Sequence, residues 1–418
     1  MKNLSLVAVG VLVTSVASWG NGYAITAQSV RSYALNNSYI AYTDGADTAY
    51  FNPANMVWLD EGSRMELGAS YINSTDTKFV GTVGGMVASA NSKADKTALP
   101  FIHYVSPKFE KWRFGLSVVQ PAGIAKRWNS PIQMITAEET YLGVIELNPS
   151  LAYEFNSQLA LGLGIRIQYA MAEFKAQLPS GMHPVLTQGY RQDMDGDDVA
   201  VGFNIALTYK PTDSLSLAAV YRTEIELDIE GEGSGYTTNP LSGLAYPFEG
   251  AHGSVTLYTP AVLTLAASKE YDKMILNFVY ERMFWSVNKE LDLDFYDFLI
   301  EGTLGQTRPQ KWKDNNSYRF GASYQYNNEL KLMGGISFEE TPIPARTLGF
   351  DLPDADLWWM SAGFTYEFNP YMEFGLAYSY GKYDERTIEL SDTNVNGIVG
   401  EFSDTSFHTL TASLTYNF

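Results

Sequence analysis

Residues 159–172 read Leu159-Ala160-Leu161-Gly162-Leu163-Gly164-Ile165-Arg166-Ile167-Gln168-Tyr169-Ala170-Met171-Ala172. Every odd position is large and apolar, and every even one is small or polar. Side chains alternate across a strand, so this period of two predicts a strand with one greasy face. Residues 371–380 repeat the pattern, with Met372, Phe374, Leu376, Tyr378 and Tyr380 set against Glu373, Gly375, Ala377 and Ser379. In residues 215–229 the same reading puts Leu215, Leu217, Ala219, Tyr221, Ile225 and Leu227 on one face. Ser216, Arg222, Glu224 and Glu226 fall on the other. These runs reach ten residues or more, whereas a strand of a soluble domain is usually about five or six.

One-sided strands of this length suit two architectures. A sandwich buries the apolar face in a core, and a membrane barrel turns it to lipid around a polar lumen. Both chain ends favour the barrel. Lys2 precedes an apolar stretch over residues 4–16, and small residues follow at Ser18, Gly20, Gly22 and Ala24. This is the form of a secretory signal peptide over residues 1–24, cut after Gly20 or Ala24. It is shorter than the roughly 20 apolar residues a spanning helix needs. The chain ends Leu414-Thr415-Tyr416-Asn417-Phe418, an alternating segment closed by an aromatic residue. This resembles the C-terminal signal of outer-membrane barrels, so Phe418 is expected to be read by the barrel assembly machinery. The reading places the protein in the outer membrane of a Gram-negative bacterium, with outer-membrane lipids around it.

Composition excludes other classes. With 28 Lys+Arg against 47 Asp+Glu the net charge is −19, unsuited to binding nucleic acid. The absence of cysteine removes disulfides, thiolate metal sites and cysteine nucleophiles. His103, His183, His252 and His408 are scattered without ligand-pair spacing. No metal, cofactor or enzymatic activity is expected, and neither His103 nor His408 has an evident serine partner.

Strand number follows from the connections. Short links with turn chemistry recur near Ser106-Pro107-Lys108, Asn156-Ser157, Pro211-Thr212-Asp213, Glu270-Tyr271-Asp272, Asn327-Asn328 and Asn369-Pro370. Longer polar stretches lie between them, over roughly 73–96, 121–139, 176–197, 231–253, 288–315, 340–355 and 384–404. Barrels have short periplasmic turns and long outer loops. The expected fold is thus all-β, a 14-stranded antiparallel transmembrane β-barrel over residues 61–418 of a single-chain monomer. Residues 25–60 show no alternation, yet Ile40, Tyr50, Phe51, Met56, Val57, Trp58 and Leu59 are too apolar for a disordered tail. They are expected to form an N-terminal hatch that plugs the lumen.

At this point the sequence resembles a family. Gly22-Tyr23, Gln28-Ser29-Val30 and Ala49-Tyr50-Phe51-Asn52-Pro53-Ala54 resemble the hatch of the long-chain fatty acid and hydrophobic-compound transporters of the outer membrane (FadL/TodX/OmpP1 type). Further resemblances follow in order at Gln120-Pro121-Ala122-Gly123, Leu147-Asn148-Pro149-Ser150, Tyr209-Lys210-Pro211-Thr212-Asp213, Glu340-Thr341-Pro342-Ile343-Pro344 and Leu352-Pro353-Asp354-Ala355-Asp356. The resemblance implies passive uptake of long-chain fatty acids or similar hydrophobic molecules. It also implies a hatch motif at Asn52, Pro53 and Ala54, and lateral release through a gap at strand 3. Neutral aromatic or alkane hydrocarbons taking the same route are one alternative. A general porin, or a structural or adhesive barrel, is another.

Residue chemistry can be set beside that. Pro121 has no N–H for the ladder and Gly123 tolerates unusual dihedrals, so strand pairing should fail there, unless Pro121 merely begins an outer loop. By alternation Arg166, Arg222 and Arg319 face the lumen. They either hold a ligand carboxylate or pair with lumen acids such as Glu146, Glu154, Glu173 and Glu373. In the acidic run 193–198, Asp193-Met194-Asp195-Gly196-Asp197-Asp198, the glycine is misplaced for a calcium loop, so a solvated loop is expected. The apolar residues 291–300 suggest either a capture groove or a small helix on the rim.

Overall fold

A computed structural model describes residues 21–418, the side chain of Gln306 excepted. Of the residues read as the signal peptide, 1–24, the first twenty lie outside the described part. Among the described residues, fourteen antiparallel strands close into a barrel. They are β1 (Arg64–Ser74), β2 (Lys96–Val105), β3 (Trp112–Arg127), β4 (Glu139–Asn156), β5 (Leu159–Leu178), β6 (Tyr190–Thr212), β7 (Leu215–Arg222, resumed as Ile225–Thr238) and β8 (Ala245–Thr259, resumed as Val262–Tyr271). The remainder are β9 (Met274–Met283), β10 (Asn315–Gln325), β11 (Leu330–Glu339), β12 (Leu357–Asn369), β13 (Met372–Tyr383) and β14 (Ser406–Asn417). Each strand pairs with its neighbour in sequence. β1 closes the cylinder against β14, from Arg64↔Asn417 to Ser74↔Phe407. At the seam Phe418 N–H donates to Ser63 O at 3.0 Å, and Ser63 N–H donates to Phe418 O at 2.8 Å.

The alternation has a direct physical counterpart. On β5, Leu163 and Ile165 face outward and are nearly half exposed, while Gly164, Arg166 and Gln168 are buried inward. Leu67, Ile102, Phe114, Phe203, Phe278, Phe320, Ile336, Met360 and Leu410 extend the exposed apolar face around the wall. In water such a belt would be unfavourable, whereas in lipid it is the required surface. The protein is an outer-membrane barrel.

All six short turns lie where expected, but three outer loops are shorter. β3 runs to Arg127, β6 begins at Tyr190, and β7 and β8 reach Thr238 and Ala245. The acidic run is therefore a strand and not a loop. It lies on β6, where Asp195 and Asp197 face solvent and Met194 faces in. Hydrogen-bonded ladders continue above the lipid, where the outward face must become polar, so the membrane signature ends before the strand does.

β7 also corrects the alternation. Arg222 faces in, but Glu224 and Glu226 face solvent, while Ile225, Leu227 and Ile229 are buried. The strand breaks at Thr223 and Glu224, and the break shifts the parity by one. Below it the apolar face meets lipid. Above it, out in water, the apolar face turns inward.

Residues 21–60 contribute no barrel strand. They form α1 (Val30–Ala34), α2 (Thr48–Phe51) and a 3₁₀ turn (Pro53–Trp58), and nearly all are buried. Ser29 caps α1 in a capping box with Ser32. The segment is tied to inward-facing groups of the wall. Arg31 pairs with Glu373 of β13 at 2.6 Å, Asp44 with Lys331 of β11, and Asn52 Nδ2 donates to Thr208 Oγ1 of β6 at 2.8 Å. Gly162 of β5 permits close approach here, since a Cβ on it would lie 2.7 Å from the Pro53 carbonyl carbon.

Candidate functional site

The barrel wall is incomplete at one place. β2 and β3 pair only from Ile102↔Val118 to Val105↔Gly115. Beyond Val118, β3 keeps β4 but leaves β2. On the β4 side the register shifts between Val119↔Glu146 and Ala122↔Val144. Gln120 and Pro121 thus stand opposite the single residue Ile145. This is a bulge, and bulges bend the strand that carries the extra residue. Pro121, with no N–H to donate, is tolerated at such a position. It lies inside β3 and does not start a loop.

The edge left by β2 is taken up by the N-terminal segment. Ile25 N–H donates to Pro121 O at 2.8 Å, Gly123 N–H donates to Tyr23 O at 2.9 Å, and Ala24 bridges Ala122 in antiparallel fashion. The Gln28 carboxamide imitates one more rung. Its Nε2 donates to Gln120 O at 2.7 Å and its Oε1 accepts from Gln120 N–H at 3.2 Å. A buried histidine fixes Gln28 from below. His103 Nε2 lies 2.8 Å from Gln28 O, and Nδ1 lies 2.9 Å from Ser117 Oγ. Donation to a carbonyl makes Nε2 the protonated nitrogen, so Nδ1 accepts from the serine. His103 therefore does face a serine, contrary to the sequence expectation. The pair is fully buried between the N-terminal segment and the wall.

Tyr23 is the other fixed point. Its hydroxyl donates to Tyr258 O at 2.6 Å, and its ring meets Trp285 edge-on with centroids 4.7 Å apart and Trp312 at 5.7 Å. Gly22, at φ +70°, passes so close to Trp285 that a Cβ would sit 2.9 Å from the indole. The loop motifs near 340 and 354 clasp each other beside it. Thr341 Oγ1 donates to Asp354 Oδ2 at 2.6 Å, and Thr341 N–H donates to Asp356 Oδ1 at 2.8 Å.

Two cavities lie on either side of residues 23–25. The outer is lined by Tyr23, Ile124, Leu142, Phe174, Leu257, Leu291, Leu293, Leu304, Trp312, Leu352 and Arg308. The apolar run 291–300 contributes both expected features: Leu291 and Leu293 line this cavity, and a helix over Phe298–Leu304 packs on the rim. The inner cavity is lined by Ala24, Ile25, Ile40, Tyr50, Phe51, Pro121, Val220, Val262, Met283, Arg166 and Arg222. Each is mainly apolar with a few polar groups, the usual make-up of a site for a hydrophobic small molecule.

The arginines singled out from sequence all face inward, and each has an acidic partner. Arg166 and Arg222 share Glu146, at 3.0 and 3.4 Å, and the Arg222 guanidinium also lies 4.0 Å over the Tyr50 ring. Arg319 joins Glu281 at 2.8 Å and Glu339 at 3.1 Å. Three arginines thus meet three glutamates. Of the acids expected as partners only Glu146 takes this role. Glu154 pairs with Lys108, Glu173 with Lys175 and Glu373 with Arg31. Asn52, Pro53 and Ala54 lie against β5 and β6, whereas residues 23–28 line the break in β3. Tyr23, Gln28, Trp285, Trp312 and Arg308 were not marked as site residues in the sequence, because no periodic signal distinguishes them.

Comparison with known proteins agrees with this architecture. Residues 10–418 match the model of the family described as outer membrane protein transport protein (OMPP1/FadL/TodX). The chain is 26% identical to the long-chain fatty acid transport protein of Escherichia coli K12, over 90% of this chain and 92% of that one. It is 24% identical to outer membrane protein P1 of Haemophilus influenzae Rd, over 91% and 90%. Among solved structures, a Pseudomonas aeruginosa FadL homologue superposes with a TM-score of 0.82 at 22% identity, covering 95% of this chain and all of that one. The Pseudomonas putida toluene transporter TodX gives 0.73 at 21%, covering 96% and 99%. With a wall broken at Pro121 and apolar cavities inside a barrel matched nearly end to end, the chain belongs to the OMPP1/FadL/TodX family of outer-membrane transport proteins.

Proposed function

We propose that the protein takes up long-chain fatty acids or similar hydrophobic molecules passively across the outer membrane. A ligand enters the outer cavity, passes Tyr23 into the inner cavity, and leaves sideways where β3 departs from β2. The observation that carries this reading is the coincidence of the wall break with the inner cavity, since Pro121 belongs to both. A lateral exit spares an apolar molecule a wet lumen. The relatives named as long-chain fatty acid transport proteins support the substrate class.

Residues 25–60 act in this proposal as the hatch, with Asn52, Pro53 and Ala54 seating it on the wall. Residues 1–24, cut after Gly20 or Ala24, supply the signal peptide, and Phe418 acts as the assembly signal of a monomer. Uptake of neutral aromatic or alkane hydrocarbons by the same route is a second reading. It is favoured by the inner arginines being already paired, because an uncharged ligand needs no cation there.

The test is uptake of radiolabelled oleate and of toluene by Gram-negative cells that lack their own transporters of this kind, with and without the protein. Faster oleate entry supports the first reading, and faster toluene entry alone supports the second. Acceleration of neither would refute both.

A further inference from the structure

The β4–β5 ladder carries an irregularity of its own. Its pairing runs to Leu147↔Ile167 and resumes at Ser150↔Gly164 in the same register. The strands therefore stay side by side, while the rungs Asn148–Arg166 and Pro149–Ile165 are omitted. Pro149 has no N–H to donate. Asn148 Nδ2 donates in its place, to Ile165 O at 2.8 Å and to Asn204 Oδ1 at 2.9 Å. These two buried amides strap β4 to β6 across Gly164, where any Cβ would collide with the Asn204 carboxamide.

The lipid face is hollowed over this strap. A groove of about 470 Å³ has Phe114, Leu151, Leu163, Ile165 and Phe203 for walls and reaches Asn204 at its floor. It spans four strands, β3 to β6, and its surface is almost wholly apolar. Its depth in the membrane is readable from β6. The outward apolar run there extends from Val199 to Tyr209, with Asp197 above it and Phe203 near its middle. In a hydrocarbon band about 25 Å tall, lipid chains reach that level and headgroups do not. An empty hollow would leave its lining without dispersion partners on one side. A flexible chain fills it, and the volume lies within the roughly 300–1,000 Å³ of sites that hold one small molecule. The groove is continuous with the lipid-facing belt, so the surrounding bilayer supplies the occupant.

We propose that this groove is a lipid site, which seats one acyl chain of an outer-membrane phospholipid and retains it longer than the chains that pass along the rest of the wall. The seated chain covers the stretch of wall where side-chain amides stand in for backbone rungs. Pro149, Gly164, Asn148 and Asn204 shape the site from within the sheet, and the five apolar walls hold the chain. The inference concerns the outer surface of the barrel and does not depend on the uptake reading.

The experiment is native mass spectrometry of purified full-length protein in mild detergent with palmitoyl-oleoyl phosphatidylethanolamine added, for the parent, Leu163→Trp, Ile165→Trp and Leu410→Trp. The first two fill the groove from its wall. The third enlarges a side chain on β14 that is exposed to a similar extent, 50% against 47% for Leu163. Native-like heat-modifiable migration in gels establishes that each variant is folded, and Ile165→Trp serves if Leu163→Trp fails to assemble. The parent and Leu410→Trp are expected to retain one phospholipid per barrel, within twofold of each other. Retention is expected to fall tenfold or more in the groove-filling variants. A parent that retains no phospholipid, or equal retention in folded groove-filling variants, would overturn the site. Retention of oleate in preference to the phospholipid at equal concentration would make the groove a site for free acid and overturn the lipid assignment.

Discussion

The Gly123 amide donates to the Tyr23 carbonyl at 2.9 Å, so the first described turn of the chain is hydrogen-bonded to the strand that breaks the barrel wall. One short segment therefore does two things. It completes the edge that β2 abandons, and it separates the outer cavity from the inner one.

That bond bears on processing. Cleavage after Ala24 would remove Tyr23 together with its bond to Gly123, its contact with Trp285 and its bond to Tyr258. Cleavage after Gly20 preserves all three. The mature chain is expected to begin at Asn21, which intact-mass measurement of protein from outer membranes checks. A chain beginning at Ile25 would mean that the Tyr23 contacts are absent from the working protein.

Arg319 is a wall residue in this account. Arg319→Ala leaves Glu281 and Glu339 buried without their cation, a loss of about 3–5 kcal/mol by analogy with other broken buried pairs. Denaturant unfolding in detergent should show it, with charged and neutral ligands losing affinity alike. A selective loss of carboxylated ligand in a stable variant would make Arg319 a ligand-holding residue instead.

Topology can be checked cleanly because the chain has no cysteine. Leu241 stands on the outer β7–β8 loop and is 90% exposed. Asn328 lies in the turn between β10 and β11. Leu241→Cys should react with a membrane-impermeant maleimide on intact cells and Asn328→Cys should not. The reverse would invert the barrel. Gly235, by sequence a loop position, is a poor site for a probe, since it is paired within the extended β7.

Deleting residues 25–60 removes the ties of the proposed hatch to the wall through Arg31 to Glu373 and Asn52 to Thr208, and leaves those of residues 21–24. The shortened barrel should still assemble, because its ladders close without the hatch. Planar-bilayer recording should then show a conducting pore where the parent shows little or none. Equal conductance would dismiss the plug.

The sequence made the lipid-facing wall legible, because Leu163, Ile165, Phe320 and their like must alternate where lipid is on one side. It also marked the turns, whose Pro, Asn and Asp residues encode local geometry. It overstated the loops where the outward face becomes acidic, as at Asp195 and Asp197, and missed the parity change at Thr223. The partners of the arginines were harder to read. Glu146 meets Arg222 across 76 positions and Gln28 meets Gln120 across 92, separations set by barrel closure and not by any local pattern. Arg308 lies on a short rim strand with no period to reveal it.

Deletion of Pro121 puts the lateral exit to a decisive test. Removing one residue from the bulge leaves Gln120 opposite Ile145 and keeps Val119 with Glu146 and Ala122 with Val144. β3 can then straighten beside β2 while its inward faces are preserved. The account predicts that the variant reaches the outer membrane and shows normal heat-modifiable migration, yet loses oleate uptake almost completely. A correctly folded deletion variant that takes up oleate at the parent rate would contradict the lateral route.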